Sequence, residues 1–176
     1  MEIEVSLADL PKMHPRLLWD EITLATIAVL GGKLTASSYE FALTTQDMPG
    51  YDSSDLVFIM NPGDVDPTNL ARIRRTYDPA RLVELAAIAI AGLGLYHGGG
   101  HEICDVAFRG TGADYTVGEH SLPLEVAGRS RRSDLSNAWE QRWRRLSKRS
   151  RIGFFLCVAE FETPAGRLAF AMENEE

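Results

Sequence analysis

The spacing of apolar and polar positions divides the chain into segments of helical and strand-like period. From Pro15 to Leu30 apolar residues recur at Leu18, Trp19, Ile22, Ala25 and Val29. Pro15 suits the first helical position and Gly31-Gly32 supplies a stop, so the spacing predicts a helix over 15–30. SSYEFALTT at 37–45 and LVFIM at 56–60 read as strands, separated by the turn-rich QDMPGYDSSD and closed by Asn61-Pro62-Gly63. Asp66-Pro67 and Asp78-Pro79 each open a helix, because the carboxylate accepts from free backbone N–H groups and proline has no N–H to leave unpaired. The second of these helices continues through Tyr96 and stops at His97-Gly98-Gly99-Gly100. It is apolar nearly all round, which predicts burial, and Glu84 is its one interior acid.

Beyond the glycines the period shortens. Residues 103–109, 113–117 and 122–128 read as three strands joined by glycine-containing turns. A helix is predicted over 134–148, capped by Ser133 or Asp134, with Leu135, Ala138, Trp139, Trp143 and Leu146 on its apolar stripe. Its opposite face carries Asn137, Gln141, Arg144, Arg145 and Lys148. Two strands, IGFFLCVAEFE and RLAFAM, close the chain around a Thr163-Pro164-Ala165-Gly166 turn. The pattern predicts an α/β protein with a mixed central sheet flanked by helices. Residues 79–170 form its core and 1–77 an N-terminal α/β elaboration of the same domain.

Composition narrows the function classes. With 176 residues, 45% apolar and 24% charged, the chain is long enough for one well-packed domain and is not a disordered one. The longest apolar run, residues 85–96, falls short of the roughly 20 residues that cross a bilayer, so no membrane span is expected. The first residues, MEIEVSLADLPK, lack the basic-then-apolar layout of a secretory signal, and a cytoplasmic location is expected. Cys104 and Cys157 lie in apolar runs with no CxxC spacing, which favours reduced core thiols. His97, His101 and His120 are scattered through loops and form no ligand spacing.

The net charge of -7 is unevenly distributed. Residues 129–151 hold nine basic side chains against two acidic ones, a local +7 that leaves -14 for the rest. A basic patch on an acidic body still attracts phosphates, since the relevant field acts within a Debye length of about 10 Å. The patch comprises Arg129, Arg131, Arg132, Arg144, Arg145 and Lys148 among others, and these are candidate nucleic-acid contacts.

Just before this patch, Asp114 and Glu125 stand on neighbouring predicted strands. Two carboxylates aimed at one sheet edge can hold Mg²⁺ or Mn²⁺ together with a phosphate oxygen, and such a metal supplies a hydroxide nucleophile for phosphodiester hydrolysis. The order helix, three strands, helix, strand, with Asp in GADYTV and Glu in LPLEVAG, resembles the PD-(D/E)XK nuclease superfamily and its restriction-endonuclease-like core. The resemblance covers roughly residues 79–162. It implies that Asp114 and Glu125 bind the divalent metal, that Glu84 completes the metal set, and that Gln141 serves the site from the following helix. Ala113 stands where the motif has proline, and Ala127 stands where it has lysine. Arg129, on the same strand face as Glu125 and Ala127, is the nearest replacement, although an arginine stays protonated and cannot act as a base.

Two functions follow as expectations. The first is a magnesium-dependent DNA endonuclease, or a nuclease subunit of a bacterial antiviral-defence or DNA-processing complex, with Asp114, Glu125, Arg129 and Gln141 in the catalytic constellation. The second is a non-catalytic nuclease-like module that binds nucleic acid, a protein partner or a second copy of itself. A pure interaction subunit, with Trp139 and Trp143 at the interface, is a third reading.

Overall fold

The computed structural model describes residues 1–31, 37–149 and 152–172, and these form an α/β fold around one mixed sheet. The elements are β1 (Glu2–Ser6), α1 (Leu10–Met13), α2 (Asp20–Leu30), β2 (Tyr39–Gln46), β3 (Ser54–Asn61), α3 (Pro67–Thr76) and α4 (Pro79–Gly99). They continue with β4 (Ile103–Val106), β5 (Tyr115–Val117), β6 (Leu122–Arg129), α5 (Leu135–Arg149), β7 (Phe154–Glu160) and β8 (Ala165–Ala171). Among the described residues the sheet has eight strands in the order β1-β3-β2-β8-β7-β6-β5-β4. The pairs β1–β3, β2–β8 and β6–β7 are parallel and the others antiparallel.

Strand register sorts side chains onto two faces. One face carries Phe41, Leu43, Phe58, Phe155, Cys157, Leu124 and Val126, and it packs against α2 and α4 in the main core. The backbone of α4 comes close enough that a Cβ on Gly128 of β6 would lie 2.3 Å from the Val83 carbonyl oxygen. This close approach is why a glycine stands in mid-strand. The opposite face carries Ala127, Leu156, Val158 and Ala169 under α5, whose Leu135, Ala138, Trp139 and Leu146 complete a second cluster. Between the two layers every residue of β7 is buried.

Helix α4 runs 21 residues and passes by length and composition for a membrane span, but 83% of its apolar window is buried in the fold. The paired aspartate–proline signals hold. Asp66 Oδ1 accepts from Thr68 N at 2.8 Å, Asp78 Oδ1 accepts from Arg81 N at 3.0 Å, and Gly100 closes α4 at φ 64. Both cysteines are free, Cys157 buried and Cys104 half-buried.

The N-terminal quarter departs from the sequence expectation. EIEVS, to which the sequence pattern assigned no element, is an edge strand whose alternate acids face solvent. Helix α2 begins at Asp20, not Pro15, because the chain turns through residues 14–19 to bury His14 and Trp19. The Trp19 indole donates to the His14 carbonyl at 2.8 Å, while Leu18 is left exposed. His14 itself is wholly buried, with Nδ1 accepting from Ile103 N and Nε2 against Gly92 O, each at 3.0 Å, which ties the turn to α4 and β4. Strand β4 stops at Val106, three residues short of the expected end, and β5 begins one residue after Asp114.

Candidate functional site

Strands β5 and β6 pair with Tyr115 opposite Leu124, which places Asp114 beside Glu125 just before β5 begins. Asp114 holds this split in the ladder: its N–H donates to Leu124 O at 2.9 Å and its Oδ2 accepts from Val126 N at 2.8 Å. One side-chain oxygen thus stands in for a missing strand carbonyl. Glu125 points to the α5 side of β6 and is buried. Arg145 of α5 donates to its Oε2, and Arg142 Nε lies 3.0 Å from its Oε1 in an ion pair without hydrogen-bond alignment. Arg142 takes its hydrogen bond elsewhere, from Nη1 to Ala138 O at 3.4 Å.

These groups open onto a cavity of about 350 Å³ lined by Arg81 and Glu84 from α4, Asp114, Tyr115, Glu125 and Arg142. Burial pushes the Glu125 carboxyl up, against the opposing pull of Arg145 and Arg142. Asp114 stands at the exposed mouth, yet crowding by protein atoms raises its carboxyl as well, against the Val126 N–H and the Arg142 charge. Burial, then the nearby Arg129, lowers the Arg142 guanidinium. Like charges are crowded here on both sides; the arginines offset the burial of Glu125, and the Val126 N–H, then Arg142, offset that of Asp114.

As arranged, most of the acidic oxygens are engaged by protein groups. Both oxygens of Glu125 face guanidinium groups, one oxygen of Asp114 is occupied by Val126 N–H, and Glu84 Oε2 pairs with Arg81 at 3.0 Å. Among the described residues no group of three or more His, Cys, Asp or Glu side chains is placed to share a metal ion. A hard cation needs several free oxygens at about 2.0–2.6 Å. Arginine supplies the positive charge instead.

The remaining predicted residues separate. Arg129 is half-buried at the end of β6, donating to Gly128 O at 2.6 Å. Gln141 donates to Asn137 Oδ1 at 2.9 Å on the exposed side of α5 and is not part of the cavity wall. Arg132 is committed to the β7–β8 turn: its N–H donates to Glu162 Oε2 at 2.8 Å and its Nη1 to Thr163 Oγ1 at 3.2 Å. Arg131, Arg144 and Lys148 are exposed. Ala127, at the expected lysine position, is 3% exposed under α5. Trp139 is buried, stacks on Trp143 at 5.4 Å and is covered by Arg167, so the two indoles anchor α5 to the sheet.

Arg81 lies where its i,i+3 spacing from Glu84 allows an ion pair, whereas Arg142 is a cavity residue that sequence reasoning passed over. A signal existed for Arg142, which sits four residues after Ala138 and four before Leu146, a cation within the buried stripe. Comparison of the chain with protein-family models, with curated proteins and with solved structures returned no match.

Proposed function

We propose that this chain is a non-catalytic, nuclease-like module that binds nucleic acid along the arginine-bearing flank of α5. The single observation that carries the reading is the state of Glu125. Its carboxylate is held by Arg142 and Arg145 while Ala127, at the motif lysine's place, is sealed beneath the same helix. With both Glu125 oxygens turned to arginines and no lysine beside them, the pair that would hold a metal and the group that would activate water are not assembled in this arrangement. The site has instead guanidinium groups, the side chains best suited to phosphate oxygens. Arg145, 45% exposed, faces both Glu125 and solvent, and Arg129, Arg131 and Arg149 extend the positive strip.

The α-β-β-β-α-β order over α4 to β7 supports a restriction-endonuclease-like core as the origin of this arrangement. The same feature favours a second reading, a magnesium- or manganese-dependent endonuclease in which α5 shifts to release Glu125, because Glu84, Asp114 and Glu125 line one cavity. Incubation of purified protein with duplex and single-stranded DNA, with Mn²⁺ or with a chelator, separates the two. The binding-module reading expects salt-sensitive association that is the same in both and leaves the DNA intact. Metal-dependent cleavage that disappears in Asp114→Asn establishes the second reading.

A further inference from the structure

We infer that the chain forms a two-fold dimer in which α5 of each copy lies on the open half of the other copy's sheet. Among the described residues α5 is the one helix on its face, and it covers only the β6, β7 and β8 part. To one side of α5 the β5 and β4 edge of that face is left, and to the other side lie β1, β3 and β2, which form the open half. Register puts Glu2 beside Val57, Glu4 beside Ile59, Ile59 opposite Glu40 and Thr44 opposite Asp55. The four acids are exposed, and Val57 and Ile59 are half-buried between them. The result is an acidic strip with an apolar floor.

The crest of α5 is the complement. Its buried stripe is Leu135, Ala138, Trp139 and Leu146, so at 100° per residue Arg144 and Lys148 project on the opposite side with the single acid Glu140 beside them, all three exposed, and the crest keeps a net positive charge. Rotation by 180° about an axis between two facing sheets puts each α5 over the partner's open half, a closed, self-complementary contact. The dimensions agree: a 15-residue helix is about 22 Å long. Three strands of this length make a patch of about 14 by 25 Å. Two reciprocal contacts would bury about 1,400 Å² in total, within the range of specific interfaces. Arg144 and Lys148 would lay their aliphatic stems over Val57 and Ile59 and their charges against the acids. This contact uses the crest of α5, not the Arg142–Arg145 flank, and it stands or falls separately from the nucleic-acid reading.

The test is sedimentation or light scattering of the full chain across salt concentrations, with two one-sided charge variants, Glu4→Lys/Glu40→Lys and Arg144→Glu/Lys148→Glu. The expected result is a dimer at low salt that weakens as salt rises, with each variant alone dissociating about tenfold or more readily. Mixing the two variants should then restore a dimer, because each mixed contact again joins opposite charges. That restoration also shows that both variants are folded. A wild-type monomer at low salt, a one-sided variant that dimerises like wild type, or a mixture that stays monomeric overturns the inference.

Discussion

The backbone N–H of Val126 donates a 2.8 Å hydrogen bond to Oδ2 of Asp114, so the aspartate at the mouth of the cavity is also part of the sheet. A substitution there changes structure as well as charge. Asp114→Ala leaves the Val126 N–H without its acceptor and should cost about 1–3 kcal/mol in denaturant unfolding. Asp114→Asn keeps an acceptor oxygen and should lose less. Equal losses would show that the hydrogen bond does not hold the β5–β6 split.

Glu125 acts here as an internal anion for Arg142 and Arg145. In Glu125→Gln both cations lose their counter-charge, and because Arg145 is nearly half exposed the stability cost should stay near about 1–3 kcal/mol. Nucleic-acid affinity should rise several-fold, since a phosphate no longer competes with a protein carboxylate. Arg145→Gln should lower affinity. Fluorescence anisotropy at fixed salt reads both, and an affinity loss in Glu125→Gln would assign the carboxylate a direct role in binding.

Ala127→Lys rebuilds the motif in sequence but not in space. The position is sealed among Leu135, Ala138 and Trp139, and a long side chain there must displace α5 or bury its ammonium beside Glu125. The expected outcome is a loss of about 1–3 kcal/mol or more, seen as a lower melting temperature, with no gain of cleavage. A variant as stable as wild type would show that α5 moves easily off this strand.

His14 gives the fold a signed dependence on pH. Burial first, and the neighbouring His97 as well, hold its folded-state pKa below 6.5, while the backbone contact to Gly92 opposes them. The unfolded chain therefore takes up the proton first as pH falls, and the stability contribution present above the unfolded value is lost below it. Protonation also removes the Nδ1 acceptor used by Ile103 N–H. Unfolding free energy should fall from pH 6.5 downward with a limiting slope of about 1.4 kcal/mol per pH unit for this group. His97 and His101, also lowered by burial, add in the same direction. A flat profile between pH 7 and 5 would contradict the assignment.

Local chemistry was most legible in the sequence where a single residue decides it. Asp78-Pro79 and Gly100 bounded α4 within a few residues, and alternation along β6 placed Glu125 and Ala127 on one face. What the sequence did not disclose depended on contacts distant along the chain. His14 finds partners 78 and 89 residues away, and that long-range pairing is what shifts the start of α2. Glu84, Asp114 and Glu125 line one cavity, but the arginine partners of Glu125 were hidden in the sequence. Whether Glu125 meets a metal or two arginines depends on how α5 is rotated over β6. The apolar stripe sets that rotation only to within a residue or two, which is enough to exchange Gln141 for Arg142.

The most direct test of the central claim is a titration of labelled DNA with wild-type protein in Mn²⁺ and in chelator, with the recovered DNA then run on a denaturing gel. The account predicts the same salt-dependent affinity in both, intact DNA, and weaker binding by Arg145→Gln. Manganese-dependent cleavage lost in Asp114→Asn, or binding that requires the metal, would contradict it.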